Sequence, residues 1–172
     1  LDAYVETHQE KLAADLILIS DTTMFDYDVP SICYGLRGIT YMEVLVKGPN
    51  EDLHSGGYGG SVTNPLNALS GIIAQLLDEN GRITIPGFYD DVVPMTQEER
   101  SAYAKLPFDE AGYKSRLGVA DLTGETGFTA LERVWARPTL DVSGLLGGFT
   151  GEGSKTIVPS KGMAKVSMRL VP

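Results

Sequence analysis

One cysteine and two histidines are all that this chain of 172 residues holds of the two most versatile catalytic side chains. A single thiol, Cys33, excludes an internal disulfide and any zinc cage built on cysteines. It stands in SICYG among apolar neighbours, where a buried, inert thiol is expected rather than a nucleophile. Positive charge is scarce as well: 14 Lys and Arg face 23 Asp and Glu, a net charge of −9. Without a basic footprint for phosphates, neither nucleic acid nor an anionic membrane surface is a fitting partner. No apolar run reaches the length of a bilayer span, and the opening LDAYVETHQE lacks the shape of a signal peptide. A cytoplasmic protein is the resulting expectation. With 42% hydrophobic residues, enough apolar material is present for one ordinary globular domain and an appended piece.

Periodicity supplies the elements. Residues 3–14 have helical spacing, and LILIS (16–20) reads as a strand buried on both faces. In YGLRGITYMEVLVKGP, Ile39, Tyr41, Glu43, Leu45 and Lys47 alternate with Thr40, Met42, Val44 and Val46, a long strand whose second set faces a core. After the glycine corner EDLHSGGYGG comes a helix over 62–79, with Leu66, Leu69, Ile72 (or Ile73) and Leu76 on one face and Asn80-Gly81 as its stop. RITIPG (82–87) suggests a short strand. From 88 to about 137 the pattern turns to short helices, one opened by a Thr96–Glu99 capping box. Strand character returns in PTLDVSGLLGG (138–148). In KGMAKVSMRLVP (161–172), Ala164, Val166, Met168 and Leu170 share one side, with Lys165, Ser167 and Arg169 on the other. The fold class is α+β: an antiparallel sheet backed by helices, preceded by a helix-strand remnant of an α/β domain. The chain has no initiating Met and stops in strand-like sequence, so a fragment of a larger protein is expected, with a crossing between domains near 32–38 and Gly35 and Gly38 as hinge candidates.

Several residues could carry chemistry. Asp21 follows LILIS where an α/β strand would deliver a side chain to its functional edge, although a loop or capping acid is the plainer reading. His54 sits on the glycine corner beside Asp52 and Ser55. Taken alone it is a solvated turn residue, and the glycines would let a partner backbone approach closely. GGYGG has neither the GxGxxG spacing nor a Walker lysine, so a nucleotide cradle is disfavoured. The GEGSKTIVPSKG loop offers backbone and hydroxyl donors around Lys155, suited to a carboxylate or oxyanion, with a mobile hairpin as the plainer reading. Arg169 is a surface ion-pair partner or a bidentate carboxylate clamp.

Taken in order, ILISDT, YGLRGITYMEVLV, DLHSG followed by GGSV, RITIPG, GEGSKTIVP and SMRLVP resemble the co-catalytic zinc metallopeptidases of the carnosinase, aminoacylase and glutamate carboxypeptidase group, above all the carnosinase-like dipeptidases. The resemblance implies a catalytic α/β domain holding a pair of zinc ions, manganese in some members, and a smaller α+β lid that makes a homodimer. On that pattern residues 1–34 are the edge of the catalytic domain. Residues 35–172 are the lid, with a helical insertion at about 88–137 and its last helix and strand missing. Asp21 then resembles a metal-binding aspartate. His54 resembles the histidine that one subunit's lid sends into the other's active site to stabilise the oxyanion. Thr156 and Arg169 resemble lid residues that hold a peptide or N-acyl amino acid substrate, including its C-terminal carboxylate. The family's metal-binding histidines, bridging aspartate and water-activating glutamate have no counterpart in this sequence. The chain alone is therefore expected to hold no catalytic metal and to hydrolyse no dipeptide, while its parent is a zinc-dependent dipeptidase or related amide hydrolase. The alternative is a dimerisation or binding module of a non-hydrolytic family member. The 38–47 strand and the helix after His54 are expected at a two-fold contact.

Overall fold

The computed structural model describes residues 1–18 and 21–172. These divide into two units, Leu1–Leu36 and Arg37–Pro172. The first unit holds two short helices, α1 (Asp2–Thr7) and α2 (Gln9–Leu12), broken at His8. The expected buried strand is not found over the described part of 16–20. Leu16, Ile17 and Leu18 are 85%, 75% and 88% exposed and belong to no strand, while Ile19 and Ser20 lie outside the described residues. A strand of this type depends on partner strands on either side for its backbone groups, and none pairs with it among the described residues. Cys33 is exposed, against the expectation of a buried thiol, and its S–H donates to the Gly35 carbonyl at 3.1 Å.

The second unit is α+β. Its sheet consists of β1 (Gly38–Lys47), β3 (Thr139–Gly147) and β5 (Lys161–Leu170), in the order β1-β5-β3 and antiparallel throughout. β5 is central because both of its edges are paired. Gly162, Ala164, Val166 and Met168 point to one face and are buried, and the residues between them point to the other. Leu140, Leu69 and Ile83 complete that core. Helix α4 (Pro65–Ala74) lies on it, opened by Asn64, whose Oδ1 accepts the Leu66 N–H at 2.9 Å, and by Pro65 at the first helical position. Leu69, 1% exposed, is its main anchor, worth about 1.5–3 kcal/mol on burial. A Cβ at Gly48 would lie 2.5 Å from Pro65 Cγ, so glycine there is what admits the helix. On β1, Val44 and Val46 pack against the core as the alternation requires, whereas Met42 remains 55% exposed.

Helix α4 ends at Ala74, short of the Asn80-Gly81 stop. Asp78 gives that dipeptide a different role: its Oδ1 accepts from both Asn80 N and Arg82 N at 2.8 Å, making a side-chain-closed turn with Gly81 at φ 70°. RITIPG forms only the single bridge Leu77↔Ile83 rather than a strand, since Pro86 has no N–H to extend a ladder.

Helices α5 (Gln97–Ala104), α6 (Glu110–Leu117) and α7 (Ala130–Trp135) come next along the chain, with full capping boxes at Thr96/Glu99 and Thr129/Glu132. Glu132, 2% exposed, also accepts from Arg100 Nε at 2.8 Å, tying α7 to α5. Burial opposes its charge. The Arg100 guanidinium and the Thr129 N–H and hydroxyl outweigh that opposition and hold the carboxyl below the usual glutamate value. Behind them Arg137 grips Glu125 with two bonds of 2.7 and 2.8 Å, and both residues are buried.

Candidate functional site

The glycine corner is built from a ladder of two residues. Strand β2 (Leu53–His54) pairs antiparallel with β4 (Ile157–Val158), His54 opposite Ile157. Such a short ladder is marginal alone, and bonds on both sides extend it. Ser55 N donates to the Thr156 carbonyl at 3.1 Å, and Ser160 N donates to Asp52 Oδ1 at 2.8 Å. The N–H and hydroxyl of Ser160, with smaller help from Lys155 and Lys161, hold the Asp52 carboxyl below the usual carboxylate value. Asp52 is thus a charged staple between the corner and the GEGSKTIVPSKG loop.

The staple brings together two residues 102 apart in sequence: Thr156 Oγ1 lies 3.2 Å from His54 Nε2. The other ring nitrogen, Nδ1, accepts the Gly56 N–H at 2.9 Å. Both side chains are exposed, an imidazole and a hydroxyl presented side by side to the surroundings. Directly after them, α3 (Ser55–Tyr58) makes a single turn.

Arg169 is not part of this pair. It lies near the far end of β5, opposite Ile39 on one side and Thr139 on the other, whereas the corner adjoins the Lys161 end. Eight residue steps along a strand amount to roughly 27 Å. Its face also carries Asp141, opposite Ser167, and Arg37 stands just before β1. Burial and the like charge of Arg169 pull the Arg37 guanidinium below the ordinary arginine value, with Asp141 acting the other way. Among the described residues Arg169 has no salt bridge, so its fork is available.

Asp21 is exposed, in the first unit, and outside any helix or strand. Among the described residues no group of three or more His, Cys, Asp and Glu could hold a metal ion. A catalytic zinc takes about three protein ligands, so the residues present do not by themselves fit a metal centre.

Sequence reasoning did not find Arg37, Gly56 as a hydrogen-bond donor to His54, or the buried Glu125–Arg137 pair. For Arg37, its phase in the alternation with Ile39 and Tyr41 was a usable signal. For a lone acid and a lone arginine in irregular sequence there was none.

Residues 34–172 match the peptidase dimerisation domain of the M20 family. The chain is 36% identical to the human Beta-Ala-His dipeptidase over all of its own length and 34% of that protein. It is 38% identical to the Cys-Gly metallodipeptidase of Schizosaccharomyces pombe over 92% of the chain and 33% of the relative. Among solved structures, an M20 family metallo-carboxypeptidase from Sulfolobus solfataricus superposes with a TM-score of 0.86 at 38% identity, covering all of this chain and 45% of that one. Human carnosine dipeptidase 1 does so with a TM-score of 0.84 at 36% identity, covering 100% and 36%. The chain thus spans about a third of the length of the curated relatives it matches.

Proposed function

Since the chain belongs to the M20 peptidase dimerisation-domain family, we propose that it is the lid of a metal-dependent dipeptidase or related amide hydrolase, contributing donors to the substrate at an active site shared between two subunits. The observation that carries this reading is the His54–Thr156 pair, held side by side at 3.2 Å on a stapled corner.

In this reading His54 donates to the oxygen of the scissile amide as negative charge gathers there, and Thr156 donates beside it. A donor aimed at developing charge in a water-poor site is worth about 10²–10³ in kcat. Arg169 meets the substrate's C-terminal carboxylate with its planar fork. The metals, zinc or manganese, would supply Lewis acidity, with Asp21 as the one ligand this chain is proposed to give.

Distance argues for two subunits. An extended dipeptide measures about 7 Å, and Arg169 stands eight residues, roughly 27 Å, along β5 from the Lys161 end that follows the His54 corner. One substrate cannot touch both from the same chain. It can if His54 and Thr156 come from the lid of one subunit and Arg169 from the other. β1 and β3 are the two edges of the sheet, and β3 carries Leu145 and Leu146, 65% and 64% exposed. An edge with free N–H and C=O groups is a template for pairing with a second copy.

Dipeptide hydrolysis by the full-length metal-loaded protein tests the reading. His54→Ala is expected to lower kcat about 10²-fold or more with the fold retained. Unchanged turnover would remove His54 from the site. Absence of any peptidase activity in the wild type would favour a binding module instead.

A further inference from the structure

The imidazole of His54 is folded back over its own chain. Nδ1 lies 2.9 Å from Gly56 N and accepts its hydrogen. An amide N–H can only donate, so Nδ1 must offer a lone pair. A neutral imidazole carries a single hydrogen, which is therefore on Nε2. Nε2 in turn lies 3.2 Å from Thr156 Oγ1, and with the hydrogen on nitrogen the hydroxyl oxygen is the acceptor. The hydroxyl's own hydrogen then points elsewhere. The bonds run in one direction: Gly56 N–H to Nδ1, Nε2–H to Oγ1, Oγ1–H outward. Bonds chained in this way polarise one another.

Side-chain size at position 56 matters as much as the donor. A Cβ there would fall 2.7 Å from His54 Cε1 and 3.0 Å from Nδ1, so any larger residue pushes the ring off its bond. At Gly59 a Cβ would fall 2.4 Å from the Ser55 carbonyl oxygen, which accepts the Gly59 N–H at 2.8 Å. Two of the four glycines in HSGGYGG are thus explained: one seats the imidazole, the other closes the turn beneath it.

We propose that Gly56 is a positioning residue whose N–H fixes the tautomer of the neutral His54 ring, with its hydrogen on Nε2; in the free chain that hydrogen rests on Thr156 Oγ1, and the substrate oxygen of the function proposed above takes its place. The state of the ring does not depend on any catalytic role. Only the consequence for turnover rests on the function proposed above.

The ¹⁵N-labelled 172-residue chain can be read by NMR well above the ordinary histidine range, near 6.5. Its two histidines make the assignment simple. They also provide a contrast: His8 Nδ1 lies 3.0 Å from the Tyr4 carbonyl, which can only accept, and 2.9 Å from Thr7 Oγ1, whose hydrogen goes to the Ala3 carbonyl at 2.8 Å, so His8 should carry its hydrogen on Nδ1. For His54 the expected result is a scalar coupling across the bond between Gly56 N and Nδ1, with the ring hydrogen on Nε2. In Gly56→Ala, which keeps the N–H but adds the Cβ, the coupling should vanish while the amide spectrum of the sheet is unchanged. A hydrogen on Nδ1 of His54, or no coupling to Gly56 in the wild type, overturns the proposal. Coupling that survives in Gly56→Ala overturns the steric part. Should Gly56→Ala fail to fold, the wild-type coupling still decides the matter. In the full-length protein Gly56→Ala should lower kcat roughly tenfold or more with little change in KM. The NMR signature together with unchanged kcat would leave Gly56 as the residue that seats the ring and would refute the oxyanion role of His54.

Discussion

Arg137→Met tests the buried pair that ties the loop before α7 to the stretch just ahead of β3. Arg137 and Glu125 are 6% and 8% exposed, and the guanidinium makes two bonds of 2.7 and 2.8 Å to the carboxylate. It also stacks 4.5 Å from the Phe128 ring centre. Removing one partner of a buried pair leaves the other charged and unpaired, at a cost of about 3–5 kcal/mol. Arg82 Nη1, 3.2 Å from Glu125 Oε1, remains to share the charge and places the expected loss near the lower end. For a chain of this size about 3 kcal/mol corresponds to a fall in Tm of roughly 6–12 °C. Urea unfolding followed by the fluorescence of Trp135, two residues from Arg137 and set edge-on to Tyr103, measures the change where it should occur. The double variant Glu125→Leu/Arg137→Met removes both charges and should recover most of the loss, because two apolar groups of similar volume replace a buried pair at little cost. A loss below about 1 kcal/mol for Arg137→Met, or a double variant less stable than the single, would refute the reasoning.

Leu69→Ala, at the centre of the contact between α4 and the sheet, should cost about 2–5 kcal/mol in the same assay; a smaller loss would mean that α4 is not what covers this core. Because the Glu132 carboxyl is held below its usual value in the folded chain, the stability it contributes is present above the ordinary glutamate range and is lost as pH falls through the lower folded value. Glu132→Gln should therefore flatten the decline in stability on the acid side, and an unchanged acid limb would contradict this. In the full-length protein Arg169→Ala should cost about 2 kcal/mol or more in kcat/KM for a substrate with a free carboxylate. Arg169→Lys should lose the bidentate geometry, and a C-terminally amidated substrate should be nearly insensitive to either change; equal damage to both substrates would make Arg169 structural.

The long strands were legible because period two is a strong signal when one face is buried. Thr40, Val44 and Val46 on β1 and Ala164, Val166 and Met168 on β5 could be placed from the alternation alone. The capping boxes at Thr96 and Thr129 have local causes, and the first was readable from four residues. What failed had distant causes in some places and a competing local one in another. LILIS has the composition of a buried strand, yet composition cannot supply the strands that would flank it. Asn80-Gly81 carried the signature of a helix stop, but Asp78 made it a turn tip with its own side chain. At the site, His54 and Thr156 could each be singled out. Their pairing rests on a ladder of two residues and on the Asp52 bond to Ser160, and neither leaves a pattern in the sequence.

Subunit complementation in the full-length protein tests most directly whether the active site is shared. Homodimers of His54→Ala, of Thr156→Ala and of Arg169→Ala should each be impaired. Mixing His54→Ala with Arg169→Ala under conditions that exchange subunits should rebuild one site per heterodimer, with Arg169 from one chain and His54 from the other. With random exchange, about a quarter of wild-type sites should return. Mixing His54→Ala with Thr156→Ala should restore nothing, because both residues are delivered by the same corner, 3.2 Å apart. No recovery in the first mixture with exchange verified, or recovery in the second, would contradict a site built from one subunit's corner and the other's arginine.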